Sequence, residues 1–384
     1  MKDLHSSYLR LNEAVYLKML EKPFLYHIKR DELYELNEEA FNFLCLLDGT
    51  EQAKDLNFDY DFLKYCIDEE LVELLPCAEK RAIRINTTVL PSLRYLELQL
   101  LDRCNLNCLH CYNRTEKQNE LDIKDALHIT SEFADLGGLR LMISGGEPLL
   151  YKDLPLFLSE IAGLPIRKVL LTNGTLIDEK MISRLFVDEI QVSLDGWREG
   201  HDLLRGRGNF EKTLRGIKLI REAGIPLSIA TMIHRGNLSE FDKMRAFIEE
   251  INAIEWGIDL PVLAGNLRLH QSLLVSYEEA ISYVSYAFGG GYHGSAEGYA
   301  CGHHLCAVTP EGYAVKCGFY SDFPLGDARR SLKECWQKID RIPLKEFKCR
   351  DCPVLEDCAG GCRFRAGDAL SPDPFMCALY GVTI

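Results

Sequence analysis

Residues 95–111 read YLELQLLDRCNLNCLHC. The first half has the look of a short strand, and it runs directly into Cys104, Cys108 and Cys111, spaced by four and three residues. In α/β folds with parallel strands, chemistry gathers at the C-terminal ends of those strands. Three thiols are one fewer than the four that usually close a structural zinc or iron–sulfur site, so this set leaves a metal position vacant. By spacing alone it also admits a zinc site completed by His110.

Working outward, strand-like runs recur as LRLMISGG, KVLLTNG, EIQVSLDG, PLSIATMIH and IEWGIDLPVL. Helix-like segments separate them around 122–136, 151–162, 178–186, 209–223 and 238–250. Strands alternating with helices predict parallel βαβ units. Six strands without a seventh and eighth predict an α/β fold of the partial (β/α)6, TIM-type barrel kind. CNLNCLHC follows the first strand, GGEP the second, TNG the third and SLDG the fourth, so all four motifs point to one mouth.

The flanks differ. Residues 23–37, PFLYHIKRDELYELN, read as two short strands around a turn, followed by apolar residues at helical spacing in EEAFNFLCLLDG and YDFLKYCIDEELVELL. This predicts a small α+β unit over 1–88. The barrel is expected over 89–270, a bridging helical segment over 271–300, and a last unit over 301–384. After about residue 300 the periodicity fades into Gly, Pro and Cys, which predicts a segment held together by metal rather than by an apolar core.

Composition narrows the function classes. The 44 basic against 58 acidic residues give a net charge of −14, and no Lys/Arg grouping forms the basic stripe of a nucleic-acid binder. No apolar run reaches the ~18 residues needed to span a bilayer. The first twenty residues, MKDLHSSYLRLNEAVYLKML, lack the apolar core of a secretory signal. The cytoplasm is therefore the expected location, with neither nucleic acid nor membrane as a partner. Fifteen cysteines in a reducing compartment point to metal or redox chemistry. Cys45, Cys66, Cys77 and Cys335 are scattered, three lie at 104–111, and eight lie between 301 and 377.

The CxxxCxxC spacing, with GGEP, VSLDG and HDLLRG behind it, resembles the signature of radical S-adenosylmethionine (SAM) enzymes. The resemblance implies that Cys104, Cys108 and Cys111 hold a [4Fe–4S] cluster whose fourth iron is chelated by SAM. Reductive cleavage of SAM then yields a 5′-deoxyadenosyl radical that abstracts hydrogen. It further implies that Gly145, Gly146 and Glu147 receive the SAM amino group, that Ser193 and Asp195 make polar contacts to SAM, and that Arg205 pairs with its carboxylate. Asn173 of TNG belongs to the same set. One position departs from the pattern: His110 stands where an aromatic residue is common, and with Tyr112 it offers a planar ring to adenine.

The run CRDCPVLEDCAGGC places Cys349, Cys352, Cys358 and Cys362 ahead of a lone Cys377. Upstream, Cys301 is followed by ten residues, Gly312, four more and Cys317, with Cys306 in between. This resembles the SPASM extension of peptide-modifying radical SAM enzymes. The resemblance implies one auxiliary cluster on Cys301, Cys306, Cys317 and Cys362, a second on Cys349, Cys352, Cys358 and Cys377, and three [4Fe–4S] clusters in all. Four-cysteine sites suit zinc equally well by softness.

Residues 15–88 resemble the winged-helix-like domain that recognises leader peptides of ribosomally made, modified peptides, where an exposed strand edge accepts an extended chain. Read without that resemblance, the same unit is a stabilising cap. The implied substrate is a precursor peptide with a leader, and the implied electron donor is a ferredoxin or flavodoxin. The implied reaction is hydrogen abstraction followed by oxidative crosslinking, thioether in preference to carbon–carbon. The alternatives are oxidation without a crosslink (decarboxylation or formylglycine formation) and modification of a tetrapyrrole or haem precursor. Relatives that make formylglycine carry an Asp directly after the cysteine equivalent to Cys317, where this sequence has Gly318. No residue identifies itself as the catalytic acid or base.

Overall fold

The structure is a computed structural model that describes residues 2–87, 89–113, 117–291, 293 and 298–383. Its chain divides into two compact units, one made of Met1–Arg94 with Phe133–Leu139 and Leu164–Arg167, the other of the remainder. The strands of the first unit are β1 (Tyr8–Leu11), β2 (Val15–Met19), β3 (Pro23–His27), β4 (Glu32–Glu35), β5 (Asp48–Gln52) and β6 (Val72–Leu75). They form two antiparallel sheets, ordered β5-β1-β6 and β2-β3-β4. The β3–β4 hairpin falls where the sequence predicts it, with Asp31 at φ 57 in its turn.

Helices Glu38–Leu44 and Tyr60–Asp68 start at side-chain caps: Asn37 accepts from the Ala40 amide at 2.8 Å and Asp59 from the Phe62 amide at 2.8 Å. Their apolar residues Phe41, Leu44 and Leu63 enter a core with Leu9, Leu11 and Leu17. The second helix is shorter than its spacing predicts. It stops at Asp68, Glu70 turns the chain at φ 55, and Val72–Leu75 pairs with β1 instead. Pairing beside an existing strand overrides helical spacing there. Strands β1 and β2 were not anticipated in the amphipathic N-terminal stretch. On β2, Lys18 is buried, donating to the Gly138 carbonyl at 2.8 Å and the Pro165 carbonyl at 2.7 Å. Burial pulls its amine down to about 7.

The second unit carries β7 (Tyr95–Gln99), β8 (Arg140–Ser144), β9 (Arg167–Thr172), β10 (Glu189–Ser193), β11 (Leu227–Met232), β12 (Glu255–Asp259), β13 (Leu305–Val308), β14 (Tyr313–Val315) and β15 (Gly326–Asp327). They form one sheet ordered β12-β11-β10-β9-β8-β7-β13-β14-β15. The pairs β7–β8, β9–β10, β10–β11, β11–β12 and β13–β7 are parallel, while β13–β14 and β14–β15 are antiparallel. Near-continuous apolar runs such as Val169–Leu171 are what strands covered on both faces require. Helices Ile123–Asp135, Leu154–Glu160, Glu179–Ile182, Glu199–Arg205, Asn209–Glu222 and Phe241–Glu250 lie between the six sequential strands. This is the mostly parallel, partial-barrel α/β fold that the alternation predicts.

Beyond residue 300 the structure differs from the expectation of a metal-held segment without a core. Strand β13 extends the barrel sheet, and Ala300, Leu344, Phe347 and Leu355 form an apolar cluster with Cys349, Cys352 and Cys358 packed against it. Strands of two to four residues among glycines and cysteines leave too little periodicity to be read. Among the described residues no helix is long and apolar enough to cross a membrane.

Candidate functional site

The C-terminal ends of the parallel strands surround a cavity of about 240 Å³. Cys104, Cys108, Cys111, His110 and Tyr112 line it from the loop after β7. Gly145, Gly146 and Glu147 follow β8, Asn173 follows β9, Ser193 ends β10, and Arg205 ends helix Glu199–Arg205. The structure thus brings together every residue expected at the SAM site except Asp195, which lies behind Arg205.

Backbone contacts hold the cysteine loop in place. The Gly146 amide donates to the Leu101 carbonyl at 2.7 Å and the Glu147 amide to the Arg103 carbonyl at 2.9 Å. A Cβ on Gly146 would stand 2.2 Å from the Arg103 carbonyl oxygen, so only glycine permits this approach. Glu147 is buried. Its Oε1 accepts from Thr172 Oγ1 at 2.6 Å and the Leu149 amide at 3.2 Å, and its Oε2 from the Asn173 amide at 2.9 Å. Most of its acceptor capacity therefore ties β8 to β9. Asn173 in turn donates to Asn105 Oδ1 at 2.9 Å, steadying the loop beside Cys104.

Asp195 is 1% exposed. Its Oδ2 accepts from Arg205 Nε and its Oδ1 from the Met232 amide at 2.8 Å. Burial pushes this carboxyl up, but the Arg205 guanidinium and the neighbouring imidazoles outweigh it and hold it below its ordinary value. Asp195 therefore orients Arg205, and unlike the other expected residues it is not on the cavity lining. Arg205 Nη1 lies 3.9 Å from Cys108 Sγ.

Burial raises the Cys104 thiol and pushes Cys108 up to about 11, so these thiols keep their protons until a metal displaces them. His110 Nδ1 is buried without a hydrogen-bond partner, and burial pulls the imidazole down to about 4. A neutral ring with an unanswered nitrogen, a guanidinium free to meet a carboxylate, and three thiols in one cavity fit a cluster with SAM bound to it.

Sequence reasoning missed Glu97. Its Oε1 accepts from Ser144 Oγ at 2.9 Å and Gln99 Nε2 at 3.0 Å, and it lines the same cavity. The signal was parity, since alternate residues of β7 share a face. A Cβ on Gly318 would stand 2.7 Å from Tyr112 Oη and 3.2 Å from Glu97 Oε2. A side chain after Cys317 would crowd the ends of the Tyr112 and Glu97 side chains, and the carboxylate beside that position comes from β7.

In the tail, Cys349, Cys352, Cys358 and Cys377 line one cavity of about 270 Å³. Among the described residues no three His, Cys, Asp or Glu side chains close on a single metal ion. Zinc requires every thiolate at about 2.3 Å from one point, whereas a four-iron cluster spreads its thiolates over separate irons. Four thiols around one cavity are a donor set that suits an iron–sulfur cluster or zinc by softness. Cys301 and Cys362 are near enough to Cys317 for their charges to act on it, and burial pushes the Cys317 thiol up to about 12. Cys306 was expected with them. It is fully buried on β13, its Sγ 3.3 Å from the Val315 carbonyl, and Cys335 is the thiol whose charge reaches it. Its neighbours inside a strand, not its spacing, decide where it points.

Comparison with known proteins agrees with this geometry. Residues 98–248 match the family model described as the Radical SAM superfamily. An AdoMet-dependent heme synthase of Methanosarcina barkeri is 28% identical, over 73% of this chain and 95% of that protein. A PqqA peptide cyclase of Granulibacter bethesdensis is 29% identical, over 73% of this chain and 86% of that protein. Among solved structures, Streptococcus suis SuiB bound to S-adenosylmethionine shares the fold with a TM-score of 0.70 at 18% identity, covering 95% of this chain and 98% of SuiB. SuiB bound to its precursor peptide SuiA gives 0.69 at 17% identity over the same shares.

Proposed function

This chain carries a radical SAM domain, and from that premise we propose that it is a maturase of a ribosomally made peptide. The observation that carries the reading is the gathering of Cys104, Cys108, Cys111 and Arg205 around one cavity at the mouth of the parallel strands. In this reading the three cysteines hold a [4Fe–4S] cluster, Arg205 meets the SAM carboxylate in the direction set by Asp195, and the Gly145–Gly146 backbone and Ser193 face the amino-acid part of SAM. The His110 ring flanks adenine. The bound cluster and SAM supply a radical able to abstract hydrogen from an unactivated carbon. Glu97 holds the proton released when the oxidised substrate closes its new bond.

A peptide substrate is supported by the PqqA peptide cyclase relatives and by the fold shared with SuiB across 95% of the chain. In the same reading, residues 1–88 capture a leader by strand addition, the segment from 301 onward holds auxiliary clusters that take the substrate electron, and a ferredoxin or flavodoxin in a reducing cytoplasm supplies the first one. A thioether is the favoured product and a carbon–carbon bond the other crosslink. The heme synthase relatives, alike over the same 73% of the chain as the peptide cyclase, favour a second reading, a tetrapyrrole substrate. Mass spectrometry of a precursor co-expressed with the enzyme tests the proposal. A crosslink removes two hydrogens, decarboxylation removes a larger fragment, and an unchanged peptide beside a converted tetrapyrrole overturns the peptide reading.

A further inference from the structure

We propose that a second cavity, walled by Arg268, Lys316 and Arg363, takes a carboxylate that the substrate peptide carries beside its reacting residue. This rests on the reading of the chain as a peptide maturase and deepens it, since it names a charge that the substrate must bear.

The second cavity shares a wall with the first. Tyr112 and Phe319 line the SAM cavity with their ring centroids 4.6 Å apart. Phe319 stacks on Phe364 at 5.2 Å, and Phe364 meets Tyr320 edge-on at 5.6 Å. Phe364 and Tyr320 line the second cavity, whose volume is about 610 Å³. That volume lies within the range of small-ligand sites, about 300–1,000 Å³. The chain after β12 follows the same course. Pro261 and Val262 line both the SAM cavity and a slot of about 250 Å³, and Leu263 lines that slot and the second cavity. A peptide whose reacting carbon faces SAM therefore has one unbroken wall to follow outward, with aromatic faces to pack against.

This wall ends among cations. Arg268 and Lys316 line the second cavity and form no ion pair among the described residues. Arg363 lines it too and is buried. Its Nη1 donates to the Ser371 carbonyl at 2.6 Å and its Nη2 to the Gly360 carbonyl, while its Nε is buried without a partner. Carbonyls answer its hydrogens, and among the described residues no carboxylate answers its charge. Two carboxylates stand in the same wall. Asp368 is held by Lys348 at 3.2 Å and by Ser371 Oγ at 2.6 Å, which leaves Asp340 against three cations. In a chain of net charge −14 this local excess is of the opposite sign, and it is the sign that attracts an anion. Guanidinium and ammonium groups bind carboxylates through charge-assisted hydrogen bonds. Leu263 and Phe323 line the cavity and are exposed, so the anion that fits brings apolar groups with it. A peptide carboxylate next to aliphatic or aromatic residues has that chemistry, whether it comes from an acidic side chain or from the chain terminus.

The test uses the full chain after anaerobic reconstitution and three dansylated peptides read by fluorescence anisotropy. The first, Phe-Leu-Glu amide, carries a side-chain carboxylate, the second, Phe-Leu-Gln acid, a terminal one, and the third, Phe-Leu-Gln amide, none. At least one carboxylate should tighten binding by about tenfold over the third peptide, and which one does so identifies its source. Arg268→Gln combined with Lys316→Gln should erase the preference, and Asp340→Asn should enlarge it, while SAM cleavage without peptide and the circular dichroism of each variant stay unchanged. No binding of any probe, equal binding of the three peptides, or a preference that survives the double variant would overturn the proposal. Coproporphyrin III bound where no peptide binds would instead overturn the peptide-maturase reading on which it rests.

Discussion

Changing Asp195 to Asn preserves shape and removes one charge from a pair that is almost wholly out of water. The Asp195 side chain is 1% exposed and that of Arg205 11%. An Asn oxygen still accepts from the Met232 amide, but its amide nitrogen then faces Arg205 Nε, donor against donor. The guanidinium is left buried without a counter-charge, a change that costs about 3–5 kcal/mol when one partner of a buried pair is removed. At about 2–4 °C per kcal/mol for a domain of this size, the melting midpoint should fall by on the order of 10 °C. Changing Arg205 to Met as well removes the second buried charge and the donor-against-donor contact, which should restore part of the loss. The carboxyl is held below its ordinary value in the folded chain, so the pair contributes fully above about pH 4 and its contribution is lost as the pH falls further. Thermal melts of the single and double variants read the stability. Equilibrium dialysis against SAM, well below the midpoint, reads the orientation of Arg205, and Asp195→Asn should weaken binding by about tenfold or more. A single variant that melts within about 2 °C of the wild type, or a double variant no more stable than the single, would refute the reasoning.

Other consequences follow from the same geometry. Gly146→Ala should push the cysteine loop off the Arg103 carbonyl and remove about four irons on reconstitution while the iron of the tail persists, as iron analysis of that variant beside Cys352→Ala would read. Glu97→Gln should leave SAM cleavage intact but lower product formation by about a hundredfold, with Glu97→Asp in between; the measure is the ratio of 5′-deoxyadenosine to modified product and its pH profile. Lys18 titrates at about 7 in the folded chain and near its ordinary 10.5 when unfolded, so the unfolded chain binds the extra proton between those values. Stability should therefore rise with pH across that window, by up to about 1.4 kcal/mol per pH unit. The slope in urea midpoints should vanish in Lys18→Met.

Most of the barrel is legible because its strands are buried on both faces and its motifs stand where those strands end. Val169–Leu171 needs no partner to be recognised as interior, and a Gly-Gly pair after a strand announces a close backbone approach. The parts that escape the sequence have short strands whose partner is distant. Val72–Leu75 continues a helical spacing perfectly well and becomes a strand only because β1 lies beside it, more than sixty residues earlier in the chain. Leu305–Val308 is four residues long and pairs with β7, two hundred residues upstream. Asp195 shows the same limit at the site. It has the strand parity of Ser193, but β10 ends at Ser193, and the Asp195 carboxylate accepts from Arg205 Nε and the Met232 amide.

The cysteines make the distinction sharpest. Cys104, Cys108 and Cys111 lie in a loop, as do Cys301 and Cys349, and Cys358 ends a four-residue helix. In such segments the backbone bends to bring thiols together, so close spacing along the chain is a fair guide to closeness in space. Cys306 is the member of the tail set that sits inside a strand. There the pleat alone decides direction, and the register of β13 on β7 gives Cys306 to the apolar side with Leu96 and leaves Ala307 on the side of Glu97. A spacing pattern counts eight thiols in the tail because it cannot see a pleat. Of the eight, four line one cavity, Cys301 and Cys362 are the thiols whose charges reach Cys317, and Cys306 is buried on β13.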